Sequence, residues 1–221
     1  LPASTANPSS PETKTVPKAR ARGEKTRLKI LAAAESIFAN EGFDAARMED
    51  IASAVGIQRA GLFYYYKDKR ALYQAMLENV MAQLSLTIQE QVNSELSLHQ
   101  QIENCAIAWV DYVWQQPHFA KILLREGVKP SEWLQQEISN LTQPLLNLLQ
   151  ALVEQAQQKG EIDNPTIDPL HIASTLAGAT VFSLSVFPSL ITELKNSVSE
   201  EKQLQQHREH IRKLTQFLLS E

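Results

Sequence analysis

A single cysteine, Cys105, leaves this chain no internal disulfide framework and no cysteine-cluster zinc site, and it suits a reducing compartment. Seven glycines among 221 residues exclude a collagen-like repeat. No continuous apolar run approaches the roughly 18 residues of a membrane span, so the expectation is a cytoplasmic protein without a membrane partner. Alternating β-branched runs long enough for a sheet strand are missing. So are a G-x-S-x-G elbow, a P-loop and a G-x-G-x-x-G turn. The five histidines are scattered; His207 and His210, three apart, are the one pair able to share a helix face, and neither a metal nor a cofactor is expected. Glu49 and Asp50 are adjacent, so they point to different faces of a helix start, where acids favour the dipole. No residue is therefore assigned a catalytic role, and the chain is not read as an enzyme. It opens on Leu1 rather than Met, which reads as a trimmed chain and leaves open a lost targeting segment.

The content that remains is ordinary for a soluble domain: 43% hydrophobic and 21% charged, long enough to bury a sizeable core. Charge is unevenly placed. Residues 1–70 hold 12 Lys and Arg against 8 Asp and Glu, whereas the remaining residues hold 9 against 17. A basic front on an acidic body suits a polyanion partner at one end.

Residues 1–22 are rich in Pro, Ser, Thr and Ala and predict a disordered arm, with Lys18, Arg20 and Arg22 able to trail along phosphates. From there the periodicity is helical. Ile30, Leu31, Ala34, Ile37 and Phe38 form one stripe, closed by Gly42. Residues 48–54 and a segment from Gln58 make two brief helices around Val55, Gly56 and Ile57. A longer helix from Asp68 carries Leu72, Met76, Leu77, Val80, Met81 and Leu84 on one side. Further helices are expected over about 102–113, between Pro117 and Gly127, after a Ser131 cap, over 141–159, over 168–187 with an Asp168 cap and Pro169, and over 200–219. The fold class is all-α: an N-terminal three-helix helix-turn-helix domain over 23–84, and a larger helical domain over 85–221.

Residues 47–66, RMEDIASAVGIQRAGLFYYY, carry the function. Two short helices around a glycine turn are the geometry whose second helix enters the major groove of double-stranded DNA. Ile51, Ala52, Val55, Ile57 and Leu62 would hold the pair together, leaving Gln58, Arg59, Gly61, Tyr64 and Tyr65 outward. Lys67 and Lys69 open the next helix against its dipole, which an external phosphate would explain.

The stretch 22–84 resembles the DNA-binding domain of the tetracycline-repressor (TetR) family of bacterial regulators. The resemblance rests on Ile30, Leu31, Ala33 and Ala34 with Phe38, on Glu41-Gly42-Phe43, on Met48-Glu49-Asp50-Ile51-Ala52, on Val55-Gly56-Ile57, and on the run from Leu62 to Lys69 with Ala71-Leu72. It implies a homodimeric regulator with an all-α effector-binding domain. It further implies that Arg47 and Met48 meet phosphate, that Gln58, Arg59 and Gly61 meet bases or backbone, and that Tyr64, Tyr65 and Lys69 meet phosphate. Ala46, Ala60 and Phe63 depart from the family's frequent Thr, Gly and Tyr; with Ala46 present, Asp44 becomes the candidate cap of the second helix.

In the larger domain, Leu141, Leu145, Leu146, Leu148, Leu149, Leu152 and Val153 cover an arc wider than one core needs, and the helix over 168–187 is apolar or small nearly all round. Both are expected at a homodimer contact. Trp109, Val113 and Phe182 are the candidate walls of a pocket for a small, largely apolar or aromatic effector, with Tyr112 and His118 as orienting polar groups. The reading is a transcriptional regulator, a repressor of a (pseudo)palindromic operator. Its rivals are a helix-turn-helix activator or adaptor without a ligand, and an all-α interaction protein whose helix pair is structural.

Overall fold

A computed structural model of the chain describes residues 18–128, 132–162, 167–190 and 199–220. Its elements are α1 (Lys18–Glu41), α2 (Met48–Val55), α3 (Arg59–Tyr65), α4 (Lys69–Gln89), α5 (Leu98–Gln115), α6 (Pro117–Val128), α7 (Glu132–Gln158), α8 (Pro169–Val181), a π-helical stretch (Phe182–Val186), α9 (Phe187–Leu190) and α10 (Glu200–Ser220). Among the described residues all regular structure is helical, as the periodicity predicts.

Glycines and caps set the breaks. Gly42 has φ 85°, and its N–H donates to the Phe38 carbonyl at 2.9 Å, closing α1. Gly56, at φ 76°, closes α2 with a Schellman turn: its N–H donates to Ser53 O and that of Ile57 to Ala52 O, both at 3.0 Å. Asp68 accepts from Ala71 N at 2.7 Å to cap α4, and Asp168 accepts from Leu170 N at 2.9 Å to cap α8. Ser97 and Gln100 add a capping box at α5.

Two apolar cores follow one another along the molecule. The first joins Ile30, Phe38, Ile51, Leu62 and Tyr73 of α1–α4 to Val113 and Phe119 of α5 and α6. The second packs α5 against α7, α8 and α10 through Ile102, Val110, Val153, Ile172 and Ile211. The α4 helix of the first core runs unbroken from Lys69 to Gln89, so the expected division at residue 84 falls inside a helix.

Several boundaries need correction. The helix α1 begins at Lys18, so residues 18–22 of the expected arm are helical; residues 1–17 and the Ser131 cap lie outside the described residues. A single α7 replaces the two helices expected over 132–159 and runs through Pro144. That proline forfeits one backbone bond on an exposed face, and packing on α4, α5 and α8 holds the helix regardless. Asp44 does not cap α2, whose N-cap Arg47 makes no side-chain bond. The segment Pro169–Val186 averages a hydropathy of 1.3 over 18 residues, enough by length and composition to cross a membrane. That corrects the sequence expectation that no apolar stretch approaches the length of a membrane span. Only 22% of the segment is buried within this chain.

Lys69 supplies what the α1–α2 turn lacks. Its Nζ donates to the carbonyls of Asp44 at 2.9 Å and Ala46 at 3.1 Å, and lies 4.8 Å from the centre of the Phe43 ring. The cation at the start of α4 therefore has an internal explanation. Replacing Lys69 by Ala should lower unfolding free energy by about 1–2 kcal/mol in urea titrations at pH 7; an unchanged midpoint would mean that these bonds are not formed in solution.

A second expectation concerns the α8–α10 joint, where His207 Nε2 lies 3.4 Å from Thr180 Oγ1. Burial, and then the neighbouring His210, hold the His207 pKa below its usual value. The folded state therefore resists a proton that the unfolded chain accepts near pH 6.5, so stability is full above that pH and declines below it. Urea midpoints between pH 7.5 and 5.5 should fall in the native chain and fall less in His207→Gln.

Candidate nucleic-acid interface and cavity

The pair α2 and α3 is held by Ile51, Ala52 and Leu62, all essentially inaccessible, with Val55 and Ile57 half-buried beside them. This interior set fixes what remains outside. Gln58 is exposed at the N-cap of α3 and makes no cap bond there; Arg59 and Tyr64 are exposed on α3, and Tyr64 retains 85% of its accessible surface. Tyr65 is half-buried, edge-on to Tyr64 at 5.4 Å. Gly61 lies mid-helix, where an added Cβ would meet only Ile57 Cβ at 3.9 Å. No neighbour in the chain requires a glycine there.

Arg59 pairs with Glu49 of α2 at 2.8 Å and lies 5.3 Å from the centre of the Phe63 ring. Both partners of the ion pair are at least half exposed, so the pair is worth well under about 1 kcal/mol and yields readily. Arg47 and Lys67 are exposed. Met48 is different: its side chain is in the first core, so only its backbone faces outward at the start of α2. Arg27, not singled out in the sequence, donates to the Tyr66 hydroxyl at 3.2 Å and ties α1 to the end of α3.

An apolar cavity of ≈ 270 Å³ lies between the two cores. Its walls come from α4 (Met81, Leu84, Ile88), α5, α6, α7 and α8. Of the five expected pocket residues, Trp109 lines it. Tyr112 and Val113 are buried instead in the first core, the Tyr112 hydroxyl donating to Val80 O at 2.7 Å. The reason is Phe119, which stands edge-on to both Trp109 and Tyr112 and closes the cavity between them. His118 is half-exposed on α6, off the wall, and Phe182 is half exposed against Phe187. Cys105 does line the cavity; burial pushes its thiol up to about 11, so it stays protonated at neutral pH.

The α6 helix touches both places. Its Phe119 and Leu123 are on the cavity wall, while Lys121 Nζ donates to Asn40 Oδ1 at 3.0 Å and Arg125 Nη2 to Asn40 O at 3.3 Å, at the end of α1. These partners are 81 and 85 residues apart in sequence, a pairing that periodicity does not signal.

The comparisons with known proteins agree with this layout. A family model described as bacterial regulatory proteins, tetR family, matches residues 30–76, and one described as tetracyclin repressor-like, C-terminal domain, matches residues 99–214. The chain is 25% identical over 179 residues to the HTH-type transcriptional regulator SrpR of Pseudomonas putida, covering 80% of this chain and 76% of that protein. It is 26% identical over 142 residues to the HTH-type transcriptional repressor NicS of the same species, covering 63% and 66%. Among solved structures, the transcriptional regulator FadR from Bacillus subtilis in complex with stearoyl-CoA superposes with a TM-score of 0.70 at 16% identity, over 87% of this chain and 97% of that one. With both halves matched and the helix pair in place, the chain belongs to the tetR family of bacterial regulatory proteins, helix-turn-helix DNA-binding regulators of transcription.

Proposed function

We propose that this protein is a cytoplasmic repressor that binds a (pseudo)palindromic operator as a homodimer and leaves it when a small, largely apolar or aromatic effector fills the cavity. One observation carries the reading: a short helix offers Gln58, Arg59 and Tyr64 to the outside, on a scaffold whose α4 helix also walls an apolar cavity. Gln58 and Arg59 reach base edges, Arg59 by giving up Glu49. Arg47, Lys67, Tyr64 and Tyr65 meet phosphate, Met48 contributes its backbone N–H alone, and Lys69 acts on phosphate only through its charge.

The dimer face falls on α8 and the helix that continues it. Leu170, Phe182, Phe187 and Leu190 are 41–68% exposed, and Gly178 is bare among them. The broad apolar arc of α7 is only partly covered within the chain: Leu152 and Val153 are in the second core, while Leu145, Leu146 and Leu149 are half-buried on the cavity wall. It flanks the dimer contact with exposed polar residues such as Gln143 and Asn147, which bond each other at 2.8 Å. A twofold dimer sets two α3 helices about one DNA turn, roughly 34 Å, apart. An effector that favours a different α4 and α6 placement changes that spacing.

Selection of bound duplexes from a random DNA pool at physiological salt should return an inverted repeat with one centre spacing; absence of any enriched repeat would reject the operator reading. On that operator Gly61→Ala separates reading from folding. Alanine in mid-helix should stabilise the chain by about 0.5–1 kcal/mol, yet bring a methyl group against the DNA and weaken operator binding about tenfold or more. Retained affinity in that variant would place Gly61 away from the duplex.

A further inference from the structure

The cavity between α4, α5, α6, α7 and α8 is half open to solvent. Its inner walls are dry: Met81, Leu84, Ile102, Ala106 and Phe119 are closed to water. The outer wall is not, since Leu145 and Leu146 of α7 and Ala173 and Ala177 of α8 are only half-buried. Leu146 marks where the opening leads. It also lines a second hollow, of ≈ 460 Å³, between α7 and the start of α8, together with the exposed Gln143, Gln150 and Leu170. Small-molecule sites bury about 70–90% of a drug-sized guest. A cavity open on its α7–α8 side falls short of that, and among the described residues nothing covers this side.

The mouth and the proposed dimer face are continuous. Leu170 belongs to both, being 58% exposed at the edge of the hollow and the first of the bare apolar side chains that continue with Phe182, Phe187 and Leu190. Ala173 and Ala177 follow Leu170 at i+3 and i+7, so the cavity rim runs on from it along the same side of α8. Gly178, the next position, is exposed, and a Cβ there would meet nothing within 4 Å. Side chains this small let a second helix approach to about 8 Å between axes.

We infer that the effector site is a shared one: a second copy of this chain, seated on α8, roofs the mouth of the cavity, and the first copy roofs the other in return. This rests on the dimer and effector readings above and adds what joins them. A twofold contact is self-complementary, so one packing completes both sites. A guest held in the cavity then favours the dimer and the dimer favours the guest, and reciprocity makes the two effects equal for each site. Covering on the order of 60 Å² of guest surface, at about 25 cal/mol per Å², corresponds to roughly tenfold in affinity.

The probe is 6-propionyl-2-(dimethylamino)naphthalene, an uncharged two-ring fluorophore whose emission turns blue where water is excluded. It is titrated into the full chain while sedimentation velocity follows the association state. The native dimer should bind it with blue emission and shift the ¹³C-methyl signal of Met81, on the cavity wall, but not that of Met48 of α2. Gly178→Glu puts a charge into the twofold contact without crowding its own chain. That variant should keep the native circular dichroism, sediment as a monomer, bind about tenfold more weakly and emit further to the red. Diluting the native chain through dimer dissociation should reproduce the loss with no substitution. Saturating fluorophore should tighten the dimer about a hundredfold, tenfold for each of two sites.

A monomeric Gly178→Glu chain that binds as tightly and emits as blue as the native dimer would overturn the shared site while leaving both earlier readings standing. A variant that stays dimeric with unchanged binding would take the dimer contact off α8, and the roof with it. A native chain that is monomeric throughout would end the dimer reading and this inference together. A native dimer that neither binds the fluorophore nor moves Met81 would end the effector reading of the cavity, and this inference again falls. The dilution series decides the matter even if the variant does not fold.

Discussion

The buried bond between Tyr73 of α4 and Glu126 of α6 is the constraint on which the packing of the first core depends. The Tyr73 hydroxyl donates to Glu126 Oε1 at 2.9 Å, with both residues all but closed to solvent. Burial first, and then the Glu126 charge, raise the phenol well above its ordinary range, so it remains the donor at any working pH. Around this bond, the Tyr73 ring meets Phe38, Phe43 and Trp133 edge-on, at 4.7, 5.1 and 6.1 Å between centroids. The Arg70 guanidinium lies 4.5 Å from the centre of the Trp133 ring. One side chain, through its hydroxyl to α6 and its ring to α1 and the start of α7, thus registers these helices against α4. A carboxylate so deeply placed is tolerated because it has a donor, and removing that donor would leave it stranded.

What the sequence makes legible is whatever is local. The stripes of α1 and α4 are visible as spacing, and Gly42, Gly56 and Asp168 announce their breaks, because a left-handed residue or a cap acts on its own neighbours. The helix pair around Gly56 is legible for the same reason. Lys69 is only half legible, because its carbonyl partners are 23 and 25 residues away and dipole logic sees only its place at the start of α4. Met48 misleads because position in a motif locates a backbone, and its side chain turns inward. The cavity is the least legible part. Trp109 and Val113 are one helical turn apart and share a face, yet one borders a void and the other a packed core. Phe119, from the next helix, decides which is which.

The contrast between α7 and α8 follows the same logic. A wide apolar arc on α7 predicts an external partner only if the chain offers a single core. Here both cores reach it, burying Leu152 and Val153 and leaving Leu141, Leu145, Leu146, Leu148 and Leu149 half-buried. The α8 segment and the helix after it expose large apolar side chains at Leu170, Phe182, Phe187 and Leu190. Large exposed apolar patches are the usual mark of an interface.

Coupling between the cavity and the proposed DNA-reading face needs a path that ligand binding can bias, and α6 and α4 provide two of different kinds. The α6 path is polar at its far end: two cations on one asparagine at the end of α1, exposed bonds that are individually weak and so can exchange. The α4 path is apolar and buried throughout, from Leu72 to Leu84, and close-packed residues transmit displacement rather than absorb it. Nearby, the Glu35 carboxyl of α1 has a buried, unpaired oxygen; burial raises its pKa, and its charge helps to raise that of Tyr112. The contact between α1 and α5 therefore keeps one acceptor incompletely satisfied within the first core. A ligand shifts any pair of packings only by as much as it prefers one over the other.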